Sequence, residues 1–472
     1  MQEFNENIAI SFDLDKESNK PLDPLFFGIL KANNNEIFIN YQENGFPNSQ
    51  KIESTEQFNL YGQTVSGKKF IATNCLFTQI GEGTIIPDGL IISNSSIFIN
   101  RLFIGNWDFD IKSKKIKNIS VRFSYLEHWL HRLKVKPKFN DNKICEMSIE
   151  NLDLNFKEFI INNEFKLTIN SSITTKTEAN KKFIFDSKKW INLSFDNYIT
   201  IDEVYQKIFI LNNLFRTILP TKKIFVEDLS IKTEDDKSYE ILYRQTNYKN
   251  EETKTSWTDF LYLYNENNVE NIISNWFNMQ EEYGMVMDSL FSILDDKSFV
   301  YLENRFIAYM QWLEGFARIA HPTKEYEKLE FENRINNIIN QISSEADKIL
   351  IKNVTKFKYE TSLRQQLKVI IIEYEVENIL KINSNEIKSL INKLLLYRNK
   401  LTHTSNKKEH KSNELVYLNE ILKNILHIIF HKKLLLDKDN VAYNEVIRNL
   451  THYYWQYKKE CNKSLERISF TL

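Results

Sequence analysis

Two hydrophobic patterns divide the chain. In the first 200 residues apolar and polar positions alternate, as in residues 36–41 and 164–169, and such alternation is typical of half-buried strands. Residues 58–64 and 69–73 flank a tripeptide centred on Gly67, which predicts a hairpin with glycine at the strained position. Many short strands without intervening helices favour an antiparallel sandwich or barrel.

Helical patterns interrupt this β-rich half at two places. A short helix is predicted at residues 126–134. A longer helix is predicted at about residues 202–219, because Thr200 and Glu203 have the spacing of a capping box. Pro220 ends that run.

From about Val269 the apolar positions recur every three or four residues, which predicts helices to the end of the chain. Five apolar side chains line one side of the first clear helix: Leu302, Phe306, Tyr309, Leu313 and Phe316. Further helices are predicted at residues 326–352, 363–381, 386–401, 415–435 and 440–459. The expected fold class is therefore α+β multidomain, with a β-rich, sandwich-like or barrel-like region at 1–265 and an all-α helical bundle at 266–472.

Composition limits the classes of partner. The 472 residues predict two or three domains. Lys and Arg total 62 against 63 acidic residues, so any nucleic-acid site must be a local patch. Three scattered cysteines (Cys75, Cys145, Cys461) imply no disulfide framework. Without a signal peptide or a membrane-length apolar stretch, a cytoplasmic location and no membrane partner are expected.

The strongest chemical signal is Arg398-Asn399-Lys400-Leu401-Thr402-His403. An arginine binds phosphate through a rigid fork of donors, and a histidine can move a proton near neutral pH. Together, Arg398 and His403 suffice to cut RNA by attack of its own 2′-hydroxyl, with no metal or other cofactor. The alternative is a solvated helix end, because the spacing alone is a weak motif.

Helix geometry constrains how this motif would act. Residues five apart on a helix are separated by about 140° around its axis, whereas Asn399 and His403, four apart, share a face. Arg398 and His403 can therefore meet one phosphate only if the helix unwinds there or if two chains supply the groups. The apolar residues beside the motif are either a surface for such pairing or intrachain core: Leu394, Leu395, Tyr397 and Leu401.

Other polar residues have both a functional and a plain structural interpretation. Glu314 and His321 are candidate accessory residues of the cleft because similar domains often place an acidic residue there, and the alternative is an exposed polar stripe on an amphipathic helix. Lys400, Lys407 and Lys408 are candidate RNA contacts, since lysines attract the phosphate backbone; a charge run in a loop is more often simply solvated.

Two more pairs favour the structural interpretation. Arg448 and His452 are a candidate RNA contact or, with better odds, a solvated helical face. His128 and His131, with Glu127 nearby, lack a third ligand at suitable spacing, so no metal site is expected.

The order of these features resembles the ApeA family. Residues 60–64 with Gly67 resemble its N-terminal domain, and residues 311–314 ahead of Arg398, Asn399 and His403 are similar to its HEPN domain. The resemblance implies an abortive-infection, anti-phage protein whose HEPN bundle dimerises and cleaves RNA, most plausibly tRNA. It implies His403 as general acid or base, Arg398 as phosphate clamp and Asn399 as orienting partner.

The regulation and the alternative function also follow from this reasoning. The β-rich region is expected to be a sensor or restraint that responds to a phage-encoded protein trigger. The runner-up is a non-catalytic HEPN-type protein that binds RNA, a nucleotide or a partner through the same cleft. Fold resemblance alone does not choose between the two.

Overall fold

A computed structural model describes most of the chain. The described residues are 4–12, 14–15, 20–22, 26–32, 36–44, 57–79, 84–85, 91–108, 110–130, 134–140, 143–150, 158–178, 182–220, 222–245, 260–261, 264, 267–294, 301–322, 325–355, 362–402, 412–434 and 441–469. They form two compact units, an N-terminal unit at Met1–Glu270 and a helical unit at Asn271–Leu472.

The N-terminal unit is built on antiparallel strands. The strands are β1 (Phe4–Ser11), β2 (Leu14–Asp15), β3 (Lys20–Pro21), β4 (Phe26–Ala32), β5 (Ile37–Asn44), β6 (Phe58–Thr64), β7 (Lys69–Gln79), β8 (Thr84–Ile85), β9 (Ile91–Gly105), β10 (Ile116–Phe123), β11 (Lys134–Asn140), β12 (Lys143–Glu150), β13 (Glu158–Ile161), β14 (Phe165–Glu178), β15 (Lys182–Ile199), β16 (Val226–Thr233) and β17 (Ser238–Tyr243). Two helices accompany them, α1 (Leu126–Trp129) and α2 (Ile201–Ile218).

Six of these strands close into an antiparallel barrel in the order β9-β5-β4-β1-β6-β7, with β7 pairing back to β9. Alternate side chains of each strand, such as Ile8 and Ile10 on β1, point inward and are almost fully buried. Closure leaves this part of the sheet without free edges. The predicted β-rich fold is therefore confirmed, and it takes the barrel form.

Six further strands extend the sheet from β9 in the order β17-β16-β10-β15-β14-β13. Strand β8 also pairs with β9, and β2 with β3 and β11 with β12 form separate two-stranded sheets. Helix α2 contacts β10 and is buried along an apolar stripe. The predicted capping box is present. The Glu203 backbone N–H donates to the Thr200 hydroxyl, and the Thr200 backbone N–H donates to the Glu203 carboxylate. The predicted hairpin is also present, with Gly67 at φ +89°.

The helical unit contains α3 (Val269–Leu294), α4 (Leu302–Ala320), α5 (Glu325–Ile339), α6 (Glu345–Thr355), α7 (Leu363–Glu373), α8 (Val376–Leu380), α9 (Ser384–Thr402), α10 (Ser412–Lys433) and α11 (Val441–Ser469). Aromatic rings in edge-to-face contact join three of these helices. Trp312 of α4 lies 5.4 Å from Phe430 of α10, which lies 5.5 Å from Trp276 of α3. The all-α C-terminal prediction is confirmed.

Four predicted helices have wrong boundaries, and one of them, predicted at 440–459, runs on to Ser469 as α11. The one at 126–134 ends at Trp129, and Lys134 begins strand β11. The helix at 326–352 is two helices, separated at residues 340–344. The helix at 363–381 breaks before α8, where Glu375 adopts φ +56°. Among the described residues, none of the helices is long and apolar enough to cross a membrane.

Candidate functional site

Helix α9 carries the described part of the motif. Asn383 starts it by accepting from the backbone N–H groups of Asn385 and Glu386 at 3.0 and 3.1 Å, which satisfies donors that a helix start leaves unpaired. Five residues at helical spacing bury one stripe of α9: Ile387, Leu390, Ile391, Leu394 and Tyr397. Burial of this stripe sets the rotation of α9, so Arg398 and Asn399 lie at the edge of the packed face.

One edge of α9 is held by the buried carboxylate of Glu414, on α10. Its side chain is only 5% exposed and lies 2.6 Å from Lys393 Nζ. The Tyr397 hydroxyl donates to it as well, and Cys461 Sγ of α11 lies 3.5 Å away. One carboxylate therefore connects α9, α10 and α11.

The ionisation of this cluster follows from its contacts. Burial alone would raise the pKa of Glu414, but hydrogen bonds from Lys393 and Tyr397 outweigh burial and hold that pKa below its ordinary value. Burial and the nearby Glu414 carboxylate raise the pKa of Tyr397 well above its usual range. At neutral pH the carboxylate is therefore ionised and the phenol is a hydrogen-bond donor.

Arg398 is held by a second carboxylate, Glu314 of α4. Arg398 Nη2 lies 3.4 Å from Glu314 Oε2, and Arg318 Nη2 lies 3.0 Å from Glu314 Oε1. Two arginines thus share one carboxylate, which leaves the group with a net positive charge. The Arg398 side chain is 32% exposed, so a phosphate arriving from solvent can reach its guanidinium.

The residues next to Arg398 complete the described motif. Asn399 is exposed, and its Oδ1 lies 3.5 Å from Arg398 Nη1. Lys400 is exposed as well. The Thr402 hydroxyl donates to the Arg398 carbonyl, one helical turn earlier, at 2.9 Å. The polar groups of the motif thus face solvent beside a firmly packed helix.

The structure separates the two accessory candidates. Glu314 contacts Arg398, whereas His321 Nε2 lies 2.7 Å from Glu373 Oε2 on α7. The two candidates are about 10 Å apart along α4, given 1.5 Å per residue. Within the described residues, His321 makes no hydrogen bond or ion pair with Arg398. His403, Lys407 and Lys408 lie outside the described residues.

The described members of the other two candidate pairs, Arg448 with His452 and His128 with His131, make ordinary structural contacts. Arg448 Nη2 lies 3.5 Å from Glu445 on the same helix, with 76% of its side chain exposed. The His452 ring lies edge-on to Tyr453 at 5.3 Å. His128 contacts the Tyr125 ring at 6.1 Å, and His131 lies outside the described residues. Over the part of the chain described, no three His, Cys, Asp or Glu side chains cluster as a metal site.

Sequence reasoning missed the Glu414 cluster. Leu394 and Tyr397, considered as a pairing surface or intrachain core, are 1% and 4% exposed and belong to the core of the chain. Glu414 lies in the first turn of α10, a usual place for a solvated acid. The one available signal was the run Lys393 to Tyr397, which places a cation and a phenol four residues apart on one face.

Comparison with known proteins gives two family matches. The model described as ApeA N-terminal domain 1 matches residues 15–276, more than half of the chain. The model described as Apea-like HEPN matches residues 307–440, which include Glu314 and Arg398. No curated protein matches the sequence.

One solved structure is similar in part. It is described as "MrkH, A novel c-di-GMP dependence transcription regulatory factor", with 14% identity over 44% of this chain and 84% of its own. The TM-score is 0.11, so this likeness carries no argument about fold or function.

Proposed function

Because this chain belongs to the ApeA family of anti-phage, HEPN-containing proteins, we propose that it is a metal-independent endoribonuclease that acts in abortive infection. The supporting observation is the arrangement around Arg398. Its guanidinium is anchored by Glu314, yet 32% of the side chain is exposed, which suits a residue that must hold one orientation and still bind a ligand. The proposed substrate is RNA, with tRNA as the favoured class.

The proposed reaction is a transesterification within the RNA. The 2′-oxygen forms a bond to the adjacent phosphorus, and the bond from phosphorus to the 5′-oxygen breaks. His403 takes the 2′-hydroxyl proton or supplies a proton to the leaving 5′-oxygen, and a second His403 or water carries out the other of these two transfers. Arg398 binds the non-bridging oxygens, where negative charge develops. The products carry a 2′,3′-cyclic phosphate and a 5′-hydroxyl.

Neighbouring polar residues take supporting roles in this proposal. Glu314 holds the Arg398 guanidinium in place, and Asn399 orients the phosphate or the imidazole. Lys400, Lys407 and Lys408 contact the RNA backbone, which would make binding weaken as salt rises. His321, engaged with Glu373, is a weaker accessory candidate than Glu314.

Two chains are proposed to share the site. Arg398 and His403 are five residues apart, which on a continuous helix separates them by about 140°. A homodimer through the helical unit would bring Arg398 and His403 of both copies to one cleft, and two-fold dimers are the commonest oligomers. Mixing Arg398→Ala with His403→Ala chains then restores some cleavage. A fully active monomer would contradict this arrangement.

The N-terminal unit is proposed to be the sensor. A nuclease that kills its host must stay inactive before infection, and this barrel-bearing unit is larger than the helical one. We expect it to recognise a phage-encoded protein and to restrain the nuclease until then. Expression of the helical unit alone should then be toxic without infection. If that unit folds, forms the dimer and is still toxic only after infection, the N-terminal unit is not the sensor.

A second function has one observation in its favour. Arg398 is already paired with a carboxylate, as an arginine with a purely structural role would be. The helical unit would then bind RNA, a nucleotide or a partner without cutting. RNA cleavage by the purified protein in EDTA, lost in His403→Ala, supports the nuclease; RNA binding with no cleavage by either protein supports the alternative.

A further inference from the structure

A groove of about 750 Å³ lies on the barrel of the N-terminal unit. Its lining comes from β6, β1, β4, β5 and β9, which are consecutive neighbours in the sheet. This volume is within the usual range for ligand sites. The groove is distant in sequence from the motif on α9, so that motif does not account for it.

The lining residues form a continuous band across the five strands. Ala9 pairs with both Gln63 and Phe27, and Asn40 pairs with both Ile29 and Ser96. Four strand spacings of about 4.8 Å give a band about 19 Å long, measured around the curved barrel wall. At about 3.3 Å per residue, an extended peptide that follows the wall spans it with roughly six residues.

Apolar side chains stand exposed along this band. Phe27 is 70% exposed and Ile29 is 40% exposed on β4, although apolar residues of a barrel ordinarily point into its core. Val65, in the turn after β6, is 82% exposed. Gly28 lies between the first two, so a side chain there would point to the opposite face, toward buried Tyr41. An added Cβ there would meet the Asn40 carbonyl oxygen at 2.3 Å. Clustered exposed apolar residues of this kind mark interaction sites.

The polar part of the lining is uncharged where the structure describes it. Among the described residues, none of those lining the groove is Asp, Glu, Lys, Arg or His. Asn7, Asn40 and Gln63 instead present side-chain amides, which donate and accept hydrogen bonds as peptide groups do. Nucleic-acid backbones and other phosphates require cations, so the lining disfavours them and suits a ligand without charge.

The closed barrel also limits how a ligand can bind. An extended peptide often joins a sheet at a free edge, but these five strands are each paired on both sides. A ligand in this groove must therefore be held by side chains that project from the strands, and not by backbone pairing at a strand edge. The exposed apolar residues would take the ligand's apolar side chains, and the amides would bond its peptide groups.

We propose that this groove binds an extended, uncharged and partly apolar peptide segment, about six residues long, of a partner protein. The assignment of that partner as the phage-encoded trigger rests on the sensor role proposed above for the N-terminal unit. The trigger would then be recognised through a short neutral segment and not through a charged surface.

The direct test selects binders from a random seven-residue peptide library displayed on beads, using the full-length protein. Enriched peptides, made with neutral blocked ends, are titrated by fluorescence anisotropy. We expect uncharged, partly apolar sequences, with the Kd raised at least tenfold by Ile29→Glu. The matched control is Ile160→Glu, on β13 outside the groove and 51% exposed, which should leave the Kd unchanged.

Several outcomes would overturn the proposal. These are no enrichment, enrichment of charged peptides, equal loss of binding in both variants, or binding of single-stranded RNA that Ile29→Glu abolishes. Conversion of a dimer to monomers by Ile29→Glu alone would assign the groove to a second copy of the chain. Thermal melting checks that each variant is folded.

Peptide binding is measured without reference to RNA cleavage, so a failed nuclease assignment leaves this test intact. The link to the trigger is tested in infected cells. Ile29→Glu should lose protection against phage at least tenfold in plaque counts, while Ile160→Glu should keep it. Full protection by an Ile29→Glu protein that no longer binds the selected peptides would contradict the trigger assignment.

Discussion

Two carboxylates contact helix α9, and their surroundings differ. Glu414 is 5% exposed and accepts from Lys393 and Tyr397, whereas Glu314 is 19% exposed and is shared by Arg318 and Arg398 at 3.0 and 3.4 Å. Tyr397 and Arg398 are adjacent in sequence but point about 100° apart around the helix. One side of α9 therefore packs against the buried Glu414 carboxylate, and the adjacent side carries Arg398, whose side chain solvent can reach.

The difference separates stability from binding. When the partner of a buried, ionised side chain is removed, the protein loses much of its stability. A ligand therefore cannot easily displace that partner. An ion pair near the surface contributes little to folding, so a phosphate can compete for its cation. We therefore expect substitutions at Glu414 to change folding and substitutions at Arg398 to change activity.

The largest expected effect is on folding. Glu414→Ala leaves the Lys393 ammonium and the Tyr397 hydroxyl without their buried acceptor, which should lower the free energy of unfolding by about 3–5 kcal/mol. Urea unfolding measures this change. Glu330→Ala, which removes an exposed partner of Arg334, is the control and should cost less than about 1 kcal/mol. Equal losses of unfolding free energy in Glu414→Ala and Glu330→Ala would contradict the buried, structural role given to Glu414.

The next effect is on catalysis. Arg398→Ala removes the proposed phosphate clamp and should reduce RNA cleavage about 100-fold or more, while the unfolding midpoint stays close to that of the wild type. Arg398→Lys keeps the charge but not the fork, and should recover only part of the rate. Loss of stability comparable to that of Glu414→Ala would make Arg398 a structural residue instead.

A smaller effect is expected at Glu314. Glu314→Gln keeps the size of the side chain but removes the charge that orients Arg398, and should lower kcat about tenfold with little change in KM. Single-turnover and steady-state cleavage assays separate these quantities. Arg318→Gln, which leaves the Arg398 contact in place, is the control. A faster Glu314→Gln enzyme would mean that Glu314 restrains Arg398 instead of positioning it.

The smallest expected effect is a dependence of stability on pH. The pKa of Glu414 is lower in the folded protein than its ordinary value near 4.5. Its contribution is therefore complete above that ordinary value and is lost as pH falls through the lower folded pKa. Between pH 7 and pH 3 the free energy of unfolding should fall more steeply for the wild type than for Glu414→Gln. Parallel curves would show that Glu414 makes no such contribution.

Local patterns predicted most elements of the fold but not its closure. The alternation at residues 58–64 and the Thr200–Glu203 spacing act over a few residues, so they are readable in the sequence. Barrel closure depends on pairings such as Ile8 with Thr64, which no local pattern specifies. The break before α8 lies at Glu375, a residue type that seldom adopts positive φ.

The site divides in the same way. Arg398 and Asn399 were found because their chemistry is written in a short motif, and Glu314 because similar domains often place an acidic residue near that motif. The contact between Glu314 and Arg398 joins residues 84 positions apart. Glu414 was missed because a buried and a solvated acid look alike in sequence. The roles given to these residues, and the domain limits at 1–265 and 266–472, remain predictions.

Cleavage of purified tRNA by purified protein in EDTA tests the central claim most directly, comparing wild type with His403→Ala and a mock purification. The account predicts fragments ending in 2′,3′-cyclic phosphate and 5′-hydroxyl from the wild type. It predicts at least 100-fold less product from a His403→Ala protein that melts like the wild type. Equal cleavage by that folded variant, or cleavage only with added Mg²⁺, would contradict it.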